Sequence, residues 1–470
     1  MLAFGIDMGT TTISVVVMDG ETGELVDQTT IFHKANKKPY LPFQRIQDPE
    51  KLRGMTVQAV EELIRKYGKP GSIGMTGQMH GILYVNPDGE AVSPLYTWQD
   101  GSGNELMKDG RTYAQVLQDA TGAAAAGYGI TTHFYLQKQG LIPDAAKKLV
   151  TLSDYIAMKL CGIREPFIAK DMAASWGCYD LELGEFCMQE LEEAKVDISF
   201  LPVILPGHSV VGVTKGGLHG GIPVTASLGD NQASVLGSVQ DLSNTVLLNI
   251  GTGSQVSVGT SRYMESHGAI ELRPCTEKMY LMVGSGLCGG RAYAMLEQFY
   301  REVAEMCGVS FPHTDGKMKN LYGRMETQAR DFMDTFGKEA AWKIRTTFSG
   351  TRSNPAERGM ISSIGIENFH PGAMTVGMLQ GVLDELYLMY EKMCAMTGSA
   401  AMYLVGSGNG IRQNRLLQEL AQELFRMPLK IPQCSEEAAY GAAMQSLASA
   451  GFAGSVEEMQ QKIRYRSIYE

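Results

Sequence analysis

The run Gly5-Ile6-Asp7-Met8-Gly9-Thr10-Thr11-Thr12 constrains the fold of this chain more than any other. It joins a short apolar start, Leu2-Ala3-Phe4, to an alternating run, Ile13-Ser14-Val15-Val16-Val17-Met18, before Asp19-Gly20-Glu21-Thr22-Gly23 reverses the chain. The pattern predicts a β-hairpin with a Gly/Thr-rich bend between its strands. Such a bend turns successive backbone N–H groups and hydroxyls toward a phosphate, and glycine lets the anion come close. Asp7 at its mouth suits a hydrated Mg²⁺, which favours carboxylate and phosphate oxygens. The same letters also fit an ordinary hairpin with a surface aspartate.

A second copy of this pattern stands near the middle of the chain. Thr245-Val246-Leu247-Leu248-Asn249-Ile250 runs into Gly251-Thr252-Gly253-Ser254 and then the alternating Gln255-Val256-Ser257-Val258. Two such openings in 470 residues predict a duplicated fold, with domains over 1–240 and 241–470 and a ligand cleft between them. Between the openings, strand-like and helix-like runs alternate. A helix with apolar residues Val57, Val60, Leu63 and Ile64 ends at Gly68, and a strand then leads into Gly77-Gln78-Met79-His80-Gly81. That alternation points to α/β architecture. Late in the chain Tyr403-Leu404-Val405 enters Gly406-Ser407-Gly408-Asn409 and a helix from Asn414, a plausible seat for a nucleotide.

The net charge of −10 argues against broad nucleic-acid or anionic-membrane binding. Eight cysteines without a C-x-x-C pair suggest reduced thiols in a cytoplasmic protein, and the eight histidines show no metal-ligand spacing. No apolar run is long enough to span a bilayer.

Six segments in order carry a family resemblance: Asp7-x-Gly9-Thr10-Thr11, Gly77-Gln78-Met79-His80-Gly81, Trp98-Gln99-Asp100-Gly101, Gly229-Asp230-Asn231-Gln232-Ala233, Gly251-Thr252-Gly253 and Gly406-Ser407-Gly408. The chain resembles the FGGY carbohydrate kinases of the sugar kinase/Hsp70/actin superfamily, along essentially its whole length. Tyr96 to Gly101, Ser227 to Ser234 and Val405 to Gly408 with Asn414 are most similar to the sedoheptulokinase branch, whereas xylulokinases usually carry Trp-Asn-Asp where this chain has Trp98-Gln99-Asp100.

The resemblance implies two actin-like (ribonuclease H-like) domains with ATP and Mg²⁺ as cofactors. It places Asp7 at the metal and Gly9, Thr10, Thr11, Gly251 and Thr252 at the phosphates. Adenosine would lie on Gly406, Ser407, Gly408, Asn409 and Asn414, beside a helix with the small-residue face Ala438-Ala439-Tyr440-Gly441-Ala442. Gln78, Met79, His80, Trp98, Gln99, Asp100 and Asn231 would meet the sugar, His80 through its backbone, and Asp230 would be the general base. Read on its own, Asp230 ahead of a helix-like run equally fits a helix N-cap, and Trp98 equally fits a core aromatic.

The implied reaction is phosphorylation of a ketose, sedoheptulose first, with xylulose or ribulose as alternatives. A non-catalytic nucleotide or sugar sensor is the rival from another class. The expected partners are a small sugar and ATP, with a homodimer open to it, and neither nucleic acid nor membrane. The chain departs from the family in two places: Ser14 stands where many relatives have Lys or Arg, and Gly406-Ser407-Gly408-Asn409 replaces Gly-Gly-Gly-Ala. Arg291 is a candidate to supply the missing cation.

Overall fold

The computed structural model describes every residue except 218–219, 266–267, 310–312, 315–316, 319–320, 352–353, 355 and 467–470. The chain forms two compact units. The first holds Met1–Asp241 together with Arg273–Tyr280 and Glu436–Arg464; the second holds Leu242–Leu272, Leu281–Ser435 and Tyr465–Glu470. The first unit thus ends its leading segment next to the expected boundary at 240. The segments 273–280 and 436–464, which the sequence reading assigns to the second domain, pack with the first.

The opening hairpin is present. Strand β1 (Leu2–Met8) pairs antiparallel with β2 (Thr12–Asp19), with Asp7 opposite Ser14, and β2 pairs antiparallel with β3 (Leu25–Phe32). The Asp19 carboxylate accepts the amides of Glu21 and Thr22 at 2.8 and 2.9 Å, which closes the reversal after β2. Helix α1 (Pro49–Tyr67) starts with an Asp48 cap and a proline and stops at Gly68; it buries Leu52, Ala59, Val60, Leu63 and Ile64. Strand β4 (Ser72–Gly77) then lies parallel to β1, with Thr76 opposite Asp7.

Among the helices that come next, α2 (Leu152–Cys161) and α3 (Lys170–Ser175) bear on the site; β5 (Val210–Val213), β6 (Pro223–Thr225) and the two-residue β7 (Leu228–Gly229) follow. The sheet runs β5-β6-β4-β1-β2-β3, and β7 also pairs parallel with β4, Gly229 opposite Gly77. Helix α4 (Asp230–Ser238) follows at once.

The later part of the chain repeats this plan. Strand β8 (Thr245–Ile250) pairs antiparallel with β9 (Ser254–Thr260); β10 (Ile270–Thr276) and β11 (Met279–Gly286) follow. Helices α5 (Gly290–Met306), α6 (Tyr322–Phe336) and α7 (Pro371–Thr397) lead to β12 (Tyr403–Ser407), which lies parallel to β8 as β4 does to β1. After the short α8 (Asn409–Gln413) come α9 (Arg415–Phe425), β13 (Leu429–Pro432), α10 (Glu437–Ser449) and β14 (Tyr465–Arg466). The second sheet runs β10-β11-β9-β8-β12-β13-β14.

Helix α10 belongs to the first unit and packs there backbone to backbone. A Cβ on Gly5 would stand 1.8 Å from the Ala439 carbonyl oxygen, and one on Gly74 would stand 1.9 Å from that of Ala442. Gly237 of α4 and Gly441 of α10 face each other in the same way. The small-residue face therefore serves close packing of this helix on β1, β4 and α4.

All eight cysteines are free, and five are buried. Among the described residues no helix is long and apolar enough to cross a membrane. The close packing of α10 is directly testable. Gly74→Ala forces a methyl group onto a main-chain oxygen and is expected to cost about 2–4 kcal/mol in urea unfolding. Gly54→Ala, in α1 with nothing within 4 Å of the new methyl, is expected to be neutral or stabilising by up to about 1 kcal/mol.

Candidate functional site

The sheet of the first unit gathers most of the candidate residues. Asp7 lies at the end of β1, Gln78-Met79-His80 just past β4, and Asp230 just past β7. Because these strands are parallel neighbours, their C-terminal ends share one edge, where open α/β sheets place ligands.

Asp7 is only partly exposed, and its Oδ1 is buried with no hydrogen bond. Burial, then the nearby carboxylates of Asp230 and Glu436, push its pKa up to about 8. Asp230 is the first residue of α4, and the cap position is taken by Gly229. Burial raises the Asp230 pKa to about 6, opposed by the Asn231 amide and by Arg273. The Arg273 guanidinium donates to Asn231 Oδ1 at 3.1 Å, and Gln232 donates to the Pro274 carbonyl at 3.0 Å, so the 273–280 segment clasps the first turn of α4.

Trp98 is 46% exposed and donates from Nε1 to Thr10 Oγ1 at 2.9 Å. It is a surface ring tied to the first bend rather than a core aromatic. Gln78 is buried and donates to Gln47, which donates in turn to the Thr10 carbonyl at 2.8 Å. Gln78 Oε1 has no partner of its own. Gln99 is exposed, whereas Asp100 is buried and accepts the amides of Ser102 and Arg45 at 3.0 and 3.3 Å.

Asp100 thus holds its own loop together. Met79 is buried under Gly229. His80 has a left-handed backbone (φ 70°), stacks on Tyr128 at 4.6 Å and donates from Nδ1 to the Ser175 carbonyl. The ring is fixed in place as a structural element.

Ser14, in place of the family cation, is buried and bonds Thr30 Oγ1 at 3.2 Å; Thr30 in turn donates to Glu436 at 3.2 Å. The position is a hydroxyl relay, with no charge pointed at a phosphate.

The second unit contains a cavity of about 750 Å³. Gly251 and Thr252 form one wall, Asn409 and Asn414 another, and Arg291 and Tyr293 line it from α5. Tyr293 stacks on Tyr322 with ring centres 5.3 Å apart, and both face the cavity. Asn414 also caps α9 by accepting the Leu417 amide at 2.9 Å.

Gly406 and Ser407 do not line this cavity. They lie in the buried part of β12, and Gly408 makes the left-handed turn (φ 83°) that delivers Asn409 and Gly410 to the wall. Letters that look like an exposed glycine loop are here the last residues of a strand. The sequence reading also missed Arg273, Glu436, Gln47 and the Tyr293–Tyr322 stack. Only Arg291 among the cavity's α5 residues is flagged by a departure from the family pattern.

Mg²⁺ fits Asp7 by the chemistry of its donors: an orphaned carboxylate oxygen crowded by two further carboxylates. Among the described residues no three His, Cys, Asp or Glu side chains are grouped to hold a metal.

The raised pKa of Asp7 couples stability to pH. Its folded pKa, about 8, lies above the ordinary 3.8, so folding favours the protonated form. The group therefore destabilises the protein increasingly as pH rises from about 4 to about 8, and levels off above. In metal-free buffer Asp7→Asn is expected to melt above the wild type at pH 8, with the gap closing toward pH 4. Thermal melts across that range measure it.

Known proteins match along the whole chain. The model for the N-terminal domain of the FGGY family of carbohydrate kinases matches residues 2–237, and that for the C-terminal domain matches 246–450. Mouse sedoheptulokinase is 26% identical over 95% of this chain and 97% of its own length; the human protein is 25% identical with the same coverage. A xylulose kinase from Staphylococcus xylosus is 21% identical over 94% of this chain and 89% of its own. Among solved structures, a xylulose kinase from Lactobacillus acidophilus superposes with a TM-score of 0.81 at 17% identity, covering 99% of this chain and 93% of that one. A gluconate kinase from the same organism gives 0.82 at 18%, with 99% and 92% covered. With both domain models matched in order, and with the two-unit actin-like α/β fold of the solved sugar kinases, the chain belongs to the FGGY family of carbohydrate kinases.

Proposed function

We propose that this carbohydrate kinase phosphorylates sedoheptulose at its terminal hydroxyl, with Asp230 as general base and Asp7 as the holder of Mg²⁺. The family supplies the reaction class, phosphoryl transfer from ATP to a sugar. The observation that carries the assignment of roles is the shared sheet edge, where Asp7, in the last two residues of β1, and Asp230, just past β7, stand on either side of β4. The sugar is chosen from the mouse and human relatives and from Trp98-Gln99-Asp100.

In the proposed step the terminal hydroxyl oxygen of the sugar attacks the γ-phosphorus of ATP. A new O–P bond forms as the bond to ADP breaks, and the hydroxyl proton passes to the Asp230 carboxylate. The Arg273 guanidinium lies beside that carboxylate and donates to the Asn231 oxygen, and Asn231, the neighbour of the base, meets the sugar. Trp98 offers its exposed ring to sugar C–H groups while its N–H is bound to Thr10. The unpartnered Gln78 oxygen accepts from a sugar hydroxyl; a buried acceptor of this kind discriminates against a sugar that lacks the hydroxyl. Mg²⁺ neutralises phosphate charge when bound.

The Tyr293–Tyr322 stack, with Asn409 and Asn414, forms the seat for adenosine. Arg291 lines the same cavity and supplies the cation that Ser14 does not.

Asp230→Asn is expected to lower sedoheptulose turnover with Mg-ATP by roughly 10²–10⁴ while leaving sugar and ATP binding within a few-fold. The base works ionised, so kcat/KM of the parent enzyme should rise about tenfold per unit up to near pH 6 and flatten above, following the raised Asp230 pKa. Full turnover by Asp230→Asn would remove the base. A higher kcat/KM for xylulose or ribulose would keep the step and change the sugar.

A further inference from the structure

Asp230 follows a strand of only two residues, β7. So short a ladder cannot by itself fix the peptide ahead of the base, and side chains take over. Thr76 Oγ1 donates to the Leu228 carbonyl at 3.0 Å. The Asp154 carboxylate of α2 accepts the Ser227 amide at 2.9 Å. The Asp171 carboxylate of α3 accepts the Gly229 amide at 2.7 Å through Oδ2. Of the three, Asp171 holds the residue next to Asp230.

Asp171 is built in firmly. Its side chain is 1% exposed, and its second oxygen, Oδ1, takes no hydrogen bond but faces His208 Nε2 at 3.8 Å. His208 is itself only 8% exposed. Gly229 is crowded from the other side: a Cβ there would lie 2.6 Å from Gln232 Oε1 and 2.7 Å from Met79 Sδ. The peptide thus has little room to shift as a whole. Losing its acceptor would strand a buried N–H, which is relieved by turning the peptide, and the turn would carry Asp230 with it.

We propose that Asp171 is a positioning residue for phosphoryl transfer: by gripping the Gly229 amide it aims the Asp230 carboxylate at the attacking hydroxyl. The proposal rests on Asp230 being the base. Asp171 acts through that residue and touches neither sugar nor nucleotide. A charged acceptor makes the stronger hydrogen bond, so an amide in its place should serve less well, and a methyl group worse.

The test is kcat and sugar KM for Asp171→Ala and Asp171→Asn, each made with Asp230 intact and with Asp230→Asn, per folded enzyme. With Asp230 intact, Asp171→Ala should lower kcat about 10- to 100-fold with sugar KM within about threefold, the size expected for a misaimed group. Asp171→Asn should lose about three- to tenfold, since its Oδ1 can still accept the Gly229 amide. In the Asp230→Asn background neither should lower kcat more than about twofold further, because the group they aim is gone. A merely structural role would lower kcat equally in both backgrounds.

Should Asp171→Ala fail to fold, Asp171→Asn carries the same comparison. A folded Asp171 variant with parental kcat, or an equal loss in both backgrounds, overturns the proposal. Full activity in Asp230→Asn alone overturns the base and this proposal together. An inactive Asp230→Asn beside a fully active Asp171 variant overturns only the positioning role.

Discussion

Parallel pairing of β1, β4 and β7 is the constraint on which the site of the first unit depends. The pairing sets Thr76 opposite Asp7 on one side of β4 and Gly77 opposite Gly229 on the other. Side chains alternate across a strand, so a one-residue slip of β1 would turn Asp7 to the other face of the sheet. Burial raises the Asp7 pKa, and the nearby carboxylates of Asp230 and Glu436 add to the effect. The fold therefore carries an electrostatic cost at this edge. Perturbed carboxylates at a strand-end edge are what a phosphoryl-transfer site would be expected to show.

Helix α10 makes that arrangement dense. Its backbone lies directly on β1, β4 and α4 through Gly5, Gly74, Gly237 and Gly441. Glu436, the residue before it, comes within electrostatic reach of Asp7 and closes the Ser14–Thr30 relay. A segment from the far end of the chain thus completes a site begun at residue 7. The second unit uses the same strand plan, with β8 and β12 parallel, but lines its cavity with Asn, Tyr and Arg side chains. The same strand plan thus presents different residues at its strand ends.

Local pattern made much of this legible in the sequence. The two hairpins, helix α1 and the strand-to-helix step into Asp230 follow from short-range periodicity and turn residues, and each is present. The rest depends on contacts between distant segments. Nothing local says that α10 leaves the second half of the chain to pack with the first, because the packing is set by glycines on three other elements. Arg273 reaches Asn231 from a strand that sequence order assigns to the other half. Gly406-Ser407-Gly408 reads as a loop because glycine and serine favour turns, yet Gly406 and Ser407 are strand residues behind the cavity wall. Trp98 could be placed on the surface only once its hydrogen bond to Thr10 was known.

The structure of the product reports most directly on whether the protein phosphorylates sedoheptulose at its terminal hydroxyl. The protein is incubated with sedoheptulose and Mg-ATP, and the phosphate is located by phosphorus–proton correlation NMR. One phosphate on the terminal primary carbon, formed in equal amount with ADP, is the expected result. Phosphate on another carbon, or ADP formed with no phosphorylated sugar, would contradict it.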